Sequence, residues 1–147
     1  MAEGLFRKLT AGRDDYAVSS AGMAAATGGP PSPDTLAVLR KRGARLDGFL
    51  SQPVTAALIE RATHVFAMTA GHLVALERMF PQAGDKLYLT CEFAEIPGCG
   101  IGCDVPDPFG MGRSAYERVA RVLEVALPAI LAYIDQTTGA SSKPQSF

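Results

Sequence analysis

The sequence predicts an α/β fold in which a parallel sheet is flanked by helices on both faces. Short runs of β-branched and aromatic residues, at 16–19, 64–68 and 86–89, alternate with segments that carry helix start and stop signals. Strands that alternate with helices favour a parallel sheet, because each parallel crossover needs a helix-length connection. In such folds the functional site lies beyond the carboxyl ends of the strands.

Most of the predicted helices begin at a hydroxyl residue followed by apolar residues at helical spacing. A Ser or Thr at this position accepts a hydrogen bond from a backbone N–H of the first turn. The segment at Ser114–Glu117 also has the spacing of a capping box, and Pro128 should bend or break the helix that follows. The first segment, 1–9, has helical spacing without a cap. The predicted caps are Ser32, Thr55, Thr69 and Ser114, and their helices end near Gly43, Ala62, Pro81 and Ile134.

Length and charge indicate one domain without a general affinity for polyanions. The chain has 147 residues, with 14 Lys and Arg against 15 Asp and Glu, a net charge of -1. This balance gives no global attraction to nucleic acid or to an anionic membrane. The longest apolar stretch, 119–134, contains two charges and a proline, so no membrane span is expected. We expect a domain over 1–136, a disordered tail over 137–147 and, without an apolar signal core, a cytoplasmic location.

The cysteines favour reduced thiols. An odd number, Cys91, Cys99 and Cys103, in a chain without an export signal argues against a disulfide framework. The pair at 99 and 103 has the spacing of half a metal site, but no second close pair exists and the chain has only two histidines. The sequence therefore predicts neither a metal site nor a cofactor, and a redox pair among the thiols stays open.

A long loop after the third strand-like run is the first candidate for function. Residues 90–111 are rich in Gly, Pro and Cys and include Asp104, Asp107 and Phe109. Long connections at the carboxyl edge of a parallel sheet are often functional. Taken alone, the sequence Asp107–Gly110 is also what a plain surface turn looks like.

Five short motifs follow one another along the chain, and each is weak singly. They are the segment 1–6, Ser20-Ala21-Gly22, the Pro-rich turn and helix at 31–43, Ala67-Met68-Thr69, and Asp107-Pro108-Phe109-Gly110. Their shared order and spacing, from residue 1 to about residue 135, resemble the low-molecular-weight protein tyrosine phosphatase family, in its bacterial branch that includes protein arginine phosphatases. The segment 1–6 is similar to the stretch after the family's phosphate-binding loop, and Asp107–Gly110 resembles its acid loop.

The resemblance implies removal of phosphate from phosphorylated protein side chains, phosphotyrosine or phosphoarginine, through a cysteinyl-phosphate intermediate. It makes Asp107 the acid that protonates the leaving group, Phe109 a side chain that flanks the substrate, and Ser20 a support for the phosphate-binding loop. Asp104 competes with Asp107 for the acid role but does not precede the proline. Phe49 departs from the family, which often places a histidine there.

One central motif of the family, Cys-x5-Arg, occurs nowhere in the 147 residues. The positions six residues after the three cysteines hold Pro97, Val105 and Phe109. We therefore expect an amino-terminally truncated chain that lacks the first strand and the phosphate loop and is inactive as it stands. The alternatives are a non-catalytic binding module of the same shape and, with less support, an arsenate reductase that uses the extra cysteines.

Overall fold

The computed structural model describes the backbone of residues 1–141 and the side chains of residues 1–138. Five α-helices, one 3₁₀ helix and two strands make up the regular structure of this part of the chain. The elements are α1 (Ala2–Leu9), α2 (Pro33–Lys41), α3 (Ala56–Arg61), β1 (Val65–Ala67), α4 (Ala70–Met79), the 3₁₀ helix (Pro81–Lys86), β2 (Leu87–Leu89) and α5 (Arg113–Ser141).

The two strands form a parallel pair, with α4 as the crossover between them. Their register places Phe66 beside Tyr88. The predicted α/β class is confirmed, as are two of the three predicted strands. The third, at 16–19, is wrong: its backbone belongs to no strand. A strand forms only where a neighbouring segment completes its hydrogen-bond ladder, and no described segment does so for 16–19.

Side-chain contacts hold that irregular segment instead. The Tyr16 hydroxyl donates to the carboxylate of Asp135 on α5 at 2.8 Å. Arg13 bonds the same carboxylate at 2.8 Å and lies 4.6 Å from the centre of the Tyr16 ring. Burial, and after it the hydrogen bond to Asp135, raises the pKa of Tyr16 to about 12. The segment is therefore fixed to the long helix rather than to the sheet.

Three of the four predicted caps are confirmed. The side-chain oxygens of Ser32, Thr55 and Thr69 each accept a hydrogen bond from a backbone N–H in the first turn of α2, α3 and α4. The capping box at Ser114 is wrong, because α5 already begins at Arg113. The Glu117 carboxylate, which the box would use, instead pairs with Arg42 at 2.8 Å.

The last helix is longer than the sequence predicts. It continues through Pro128 without a break and extends to Ser141. Residues 137–141, predicted as part of a disordered tail, are therefore helical. Pro128 and Glu124, whose carbonyl loses its helical partner, are both exposed, and water can satisfy that carbonyl. The Thr138 hydroxyl caps a carbonyl of the preceding turn at 2.8 Å. Residues 142–147 of the predicted tail lie outside the described residues.

The largest core cluster joins α1, α2 and α5 to the long loop after β2. Its most deeply buried members include Leu39, Leu123 and Ile130, and the loop contributes Cys91 and Val105. Part-buried Met1 and Ala2, at the start of α1, pack against the same cluster. The start of α1 and the base of the loop are thereby fixed to one core. Within residues 1–141, no helix is both long and apolar enough to cross a membrane.

Candidate active site

The loop over residues 90–111 is anchored at the carboxyl ends of both strands. Thr90, only 1% exposed, donates from its backbone N–H and from its hydroxyl to the carbonyl of Ala67, each at 2.9 Å. The backbone N–H of Val105 donates to the carbonyl of Met68 at 2.8 Å. Both arms of the loop are therefore attached to the sheet edge at which ligands bind in parallel α/β folds.

Asp104 ties the loop to helix α4. Its carboxylate accepts a hydrogen bond from the backbone N–H of Ala70, the first residue of the helix, at 2.8 Å. A carboxylate at a helix amino terminus is also favoured by the helix dipole. Thr69 accepts from the backbone N–H of His72 at 3.0 Å, so the two side chains satisfy different donors of the same turn. The contact gives Asp104 a structural task that the sequence did not indicate.

Asp107 makes no hydrogen bond to another secondary-structure element among the described residues. Its carboxylate accepts only from the backbone N–H of Phe109, two residues further on, at 3.0 Å. A second turn follows, in which the N–H of Met111 donates to the carbonyl of Pro108 at 3.0 Å. The side chain of Phe109 is 80% exposed. The acid and the aromatic residue thus lie together on an exposed turn, and both remain accessible to a bound molecule.

Ser20 lies in another part of the surface, beside a shallow cavity of about 210 Å³. Its carbonyl accepts from the Gln52 side-chain amide at 3.0 Å, and the next residues join the same segment through a parallel bridge between Gly22 and Pro53. Phe49 also lines the cavity, whereas Asp107 and Phe109 do not. The structure therefore brings Asp107 and Phe109 together but does not bring Ser20 into contact with them.

The segment opposite Ser20 was missed by sequence reasoning. Ser51 accepts a hydrogen bond from the backbone N–H of Gly29 at 2.8 Å and donates to the carbonyl of Ala26 at 2.6 Å. Gln52 holds Ser20 from the same strand-like stretch. Neither residue belongs to a motif, and the contacts span more than 20 positions of sequence, so no local signal points to them.

The expectation of three reduced thiols is wrong. Cys99 and Cys103 form a disulfide, and Cys91 is the free cysteine, buried at 1% exposure. A tight hairpin brings the pair together: the backbone N–H of Ile96 donates to the carbonyl of Gly100 at 2.9 Å, and the reverse bond measures 2.8 Å. An odd number of cysteines does not exclude a local pair of this kind. Burial, and secondarily the negative charge of Asp104, raises the pKa of the Cys91 thiol.

No group of three or more His, Cys, Asp or Glu side chains is placed to share a metal ion in the part of the chain that the structure describes. We therefore assign no residue to a metal.

Comparison with known proteins decides the family. The sequence profile described as "Low molecular weight phosphotyrosine protein phosphatase" matches residues 1–140. The chain belongs to this family. The resemblance seen in the sequence motifs is thereby confirmed, and the acid loop can be considered within a phosphatase fold rather than as an isolated turn.

Relatives at the sequence level include two named protein-arginine-phosphatases. The protein from Geobacillus stearothermophilus is 34% identical over 110 residues, which cover 75% of this chain and 71% of the relative. The protein from Bacillus subtilis is 33% identical over 129 residues, which cover 86% of this chain and 82% of the relative. Both substrate types of the family are represented, because a low-molecular-weight protein-tyrosine-phosphatase from Streptomyces coelicolor is 34% identical over 103 residues, 69% of this chain and 62% of the relative.

Solved structures of the phosphatase family share the fold. The YwlE arginine phosphatase from Geobacillus stearothermophilus superposes with a TM-score of 0.81 at 30% identity, covering 99% of this chain and 89% of that one. A YwlE variant described as carrying a phosphorylated active-site serine in place of cysteine has a TM-score of 0.78 at 29% identity, covering 91% of this chain and 86% of that one. The phosphatase fold is therefore shown at the level of the backbone as well as of the sequence.

Proposed function

We propose that this phosphatase-family domain acts on phosphotyrosine or phosphoarginine side chains of proteins through a cysteinyl-phosphate intermediate, and that residues 1–147 by themselves are inactive. The family match over residues 1–140 carries the proposal. The relatives named above as arginine and tyrosine phosphatases support the two substrate types. The related protein phosphorylated on a serine that replaces its active-site cysteine supports a covalent intermediate.

Asp107 is the proposed acid. A general acid must approach the atom that leaves, donate a proton to it, and then as a carboxylate activate water against the covalent intermediate. Its single contact to the Phe109 backbone leaves the outer side of the carboxylate open for that task. Asp104 is a weaker candidate because its carboxylate is already bonded to the first N–H of α4.

Phe109 and Ser20 have the proposed supporting roles. The exposed Phe109 ring, two residues after the acid, offers an apolar face to an entering side chain. The Ser20 hydroxyl has no hydrogen-bond partner among the described side chains and backbone, which leaves it free to bond a phosphate-binding loop.

The cysteines support the proposed inactivity of residues 1–147 by themselves. A thiolate is the nucleophile in this chemistry, and its usual activation is a lowered pKa. Here burial raises the pKa of the Cys91 thiol, and the other two sulfurs are bonded to each other. None of the three cysteines is followed by Arg at the sixth position. A well-placed acid does not replace a nucleophile and an anion-binding loop, since such groups act as a unit.

The proposed location is the cytoplasm, where proteins phosphorylated on Tyr and Arg side chains would be the partners. The near-neutral net charge supports the proposal that neither nucleic acid nor an anionic membrane is a partner.

The test compares two polypeptides on p-nitrophenyl phosphate. One is the 147-residue chain, and the other is the same chain preceded by the segment of the Geobacillus stearothermophilus protein-arginine-phosphatase that carries its active-site loop. We expect no turnover from the first above its Asp107→Asn variant. We expect turnover from the second, with Asp107→Asn lowering kcat by about 10²- to 10⁴-fold, the usual contribution of a general acid or base.

Two results would contradict the proposal. Turnover by the 147-residue chain that exceeds its Asp107→Asn control would show that a nucleophile exists within it. A fused protein that folds, binds a phosphopeptide and yet does not turn over would instead support the non-catalytic binding module. Asp104→Asn in the fused protein serves as the matched carboxylate control and should retain the parent's kcat on p-nitrophenyl phosphate.

A further inference from the structure

The disulfide between Cys99 and Cys103 lies in an exposed hairpin rather than in the core. Cys99 is exposed, and Cys103 is half-buried against the main core cluster. The covalent ring spans a sequence separation of 4. Gly100 and Gly102, within the ring, both have positive φ. Because glycine adopts many backbone conformations, both residues can leave this one once the ring is open. The sulfur at Cys99 is therefore within reach of an external thiol.

The ring is joined directly to the tethers of the acid loop. Cys103 is followed at once by Asp104, which bonds the start of α4, and by Val105, which bonds the end of β1. Within the ring, the N–H of Gly102 donates to the carbonyl of Cys91 at 2.8 Å. Asp107 comes two residues after the last of these anchors. Any gain in freedom of the ring acts on the segment that positions the proposed acid.

We propose that Cys99–Cys103 is a reversible redox site that exchanges with a dithiol reductant, and that its state sets how firmly residues 103–107 are held. A thiolate of the dithiol attacks the Cys99 sulfur, the bond between the two cysteines breaks, and Cys103 leaves as a thiolate that takes a proton from water. The second thiolate of the dithiol then attacks the mixed disulfide and releases Cys99. The site gains two electrons and two protons, and the dithiol becomes a disulfide.

Two observations separate this site from a structural staple. Opening the ring would loosen the segment without unfolding the loop, because Ile96 and Val105 are buried and the hairpin has its own backbone hydrogen bonds. The remaining cysteine, Cys91, is 1% exposed, so it does not compete as an exchange partner. Reversibility also fits the cytoplasmic location proposed above, in which disulfides are usually transient or redox-sensing. The proposal does not depend on catalysis, and its test uses no turnover.

The experiment uses the full 147-residue chain in its folded state. The protein is oxidised with diamide, divided, and one half is treated with dithiothreitol without denaturant. Alkylation followed by intact mass counts the accessible thiols, and hydrogen–deuterium exchange is followed in peptides that cover 102–108. We expect the reduced half to gain two alkylated sites. Closing a five-residue ring shifts the equilibrium between the ordered and the open segment by about 30-fold through chain entropy. Hydrogen–deuterium exchange over 103–107 should therefore quicken by up to about that factor on reduction.

Matched variants assign the effect. The double variant Cys99→Ser/Cys103→Ser should exchange at the reduced rate with or without dithiothreitol, and Cys91→Ser should respond to the reductant as the parent does. Three results would each overturn the proposal: diamide forms no bond between Cys99 and Cys103, the bond is reduced only after the chain is denatured, or reduction leaves exchange over 103–107 unchanged. Because none of these readouts involves phosphate release, a failed phosphatase assay leaves the redox result intact.

Discussion

The carboxylate of Asp104 should contribute measurably to stability, whereas that of Asp107 should not. Both lie in the same loop, three positions apart, and differ in what they bond. Asp104 bonds the first N–H of α4 at 2.8 Å, which joins two elements of structure. Asp107 bonds only the N–H of Phe109 within its own turn. Replacing each with Ala therefore removes a tertiary tether in one case and a local turn contact in the other.

The magnitude follows from the helix terminus. Loss of a side-chain acceptor at a helix start costs typically about 1 kcal/mol, and the charge at the positive end of the helix adds about 0.3–1 kcal/mol. Ala70 is exposed, so water can bond its freed N–H and no buried donor is left unpaired. We expect Asp104→Ala to lower the free energy of unfolding by about 1–2 kcal/mol. Asp104→Asn keeps an acceptor oxygen and should cost about half as much.

Urea unfolding followed by circular dichroism measures these differences. With a slope of roughly 1.5–2 kcal/mol per molar urea for a chain of this size, Asp104→Ala should lower the midpoint by about 0.5–1.3 M. Asp107→Ala is the matched control and should stay within about 0.5 kcal/mol of the parent. Unfolding of Asp104→Ala at the parent's midpoint, or an Asp104→Asn variant as unstable as Asp104→Ala, would contradict this prediction.

Three further predictions concern the rest of the fold. Burial lowers the pKa of His64, so as the pH drops the unfolded chain takes up a proton before the folded chain does, and the free energy of unfolding should fall below about pH 6.5. In a plot of melting temperature against pH, the fall due to His64 should disappear in His64→Gln and remain in His72→Gln. The hydrogen bond from Arg42 lowers the pKa of Glu117, so the Glu117 carboxylate stabilises the fold at pH values above its ordinary pKa. This stabilisation is lost as the pH falls through the lowered pKa of the folded state. Glu117→Gln should therefore flatten the acid side of the plot of melting temperature against pH. Replacing Leu123, 1% exposed in the main core, with Ala should lower the free energy of unfolding by about 2–5 kcal/mol, measured by urea unfolding. A loss below about 1 kcal/mol would mean that the cluster repacks freely.

Local signals in the sequence proved reliable where the structure they specify is also local. The hydroxyl caps at Ser32, Thr55 and Thr69 were predictable because each bonds an N–H only three residues away. The strand at 16–19 was not, because a strand needs a partner and β propensity describes only half of the pair. The same limit explains Ser114, where a local motif competes with the ion pair between Glu117 and Arg42, 75 positions apart.

The candidate site divides in the same way. Asp107 and Phe109 could be predicted from the sequence because the motif that contains them is contiguous, and their roles stay predictions. The bond from Asp104 to Ala70 spans 34 positions, and the bond from Gln52 to Ser20 spans 32, so neither has a sequence signal. The disulfide was missed for a different reason: counting cysteines addresses frameworks of several bridges, whereas this bridge depends on the hairpin between Ile96 and Gly100.

The proposed acid loop must be positioned and yet leave its acid accessible. A general acid has to reach its substrate without being engaged in contacts of its own, whereas a loop with no contacts would leave it unpositioned. In the proposed site different carboxylates would meet the two requirements: Asp104 bonds a helix start at the base of the loop, and Asp107 keeps its outer face open. Sequence alone could not separate them, because both are Asp residues on one Gly- and Pro-rich segment. The partner that separates them is a backbone N–H on α4, and only the fold brings it to the loop.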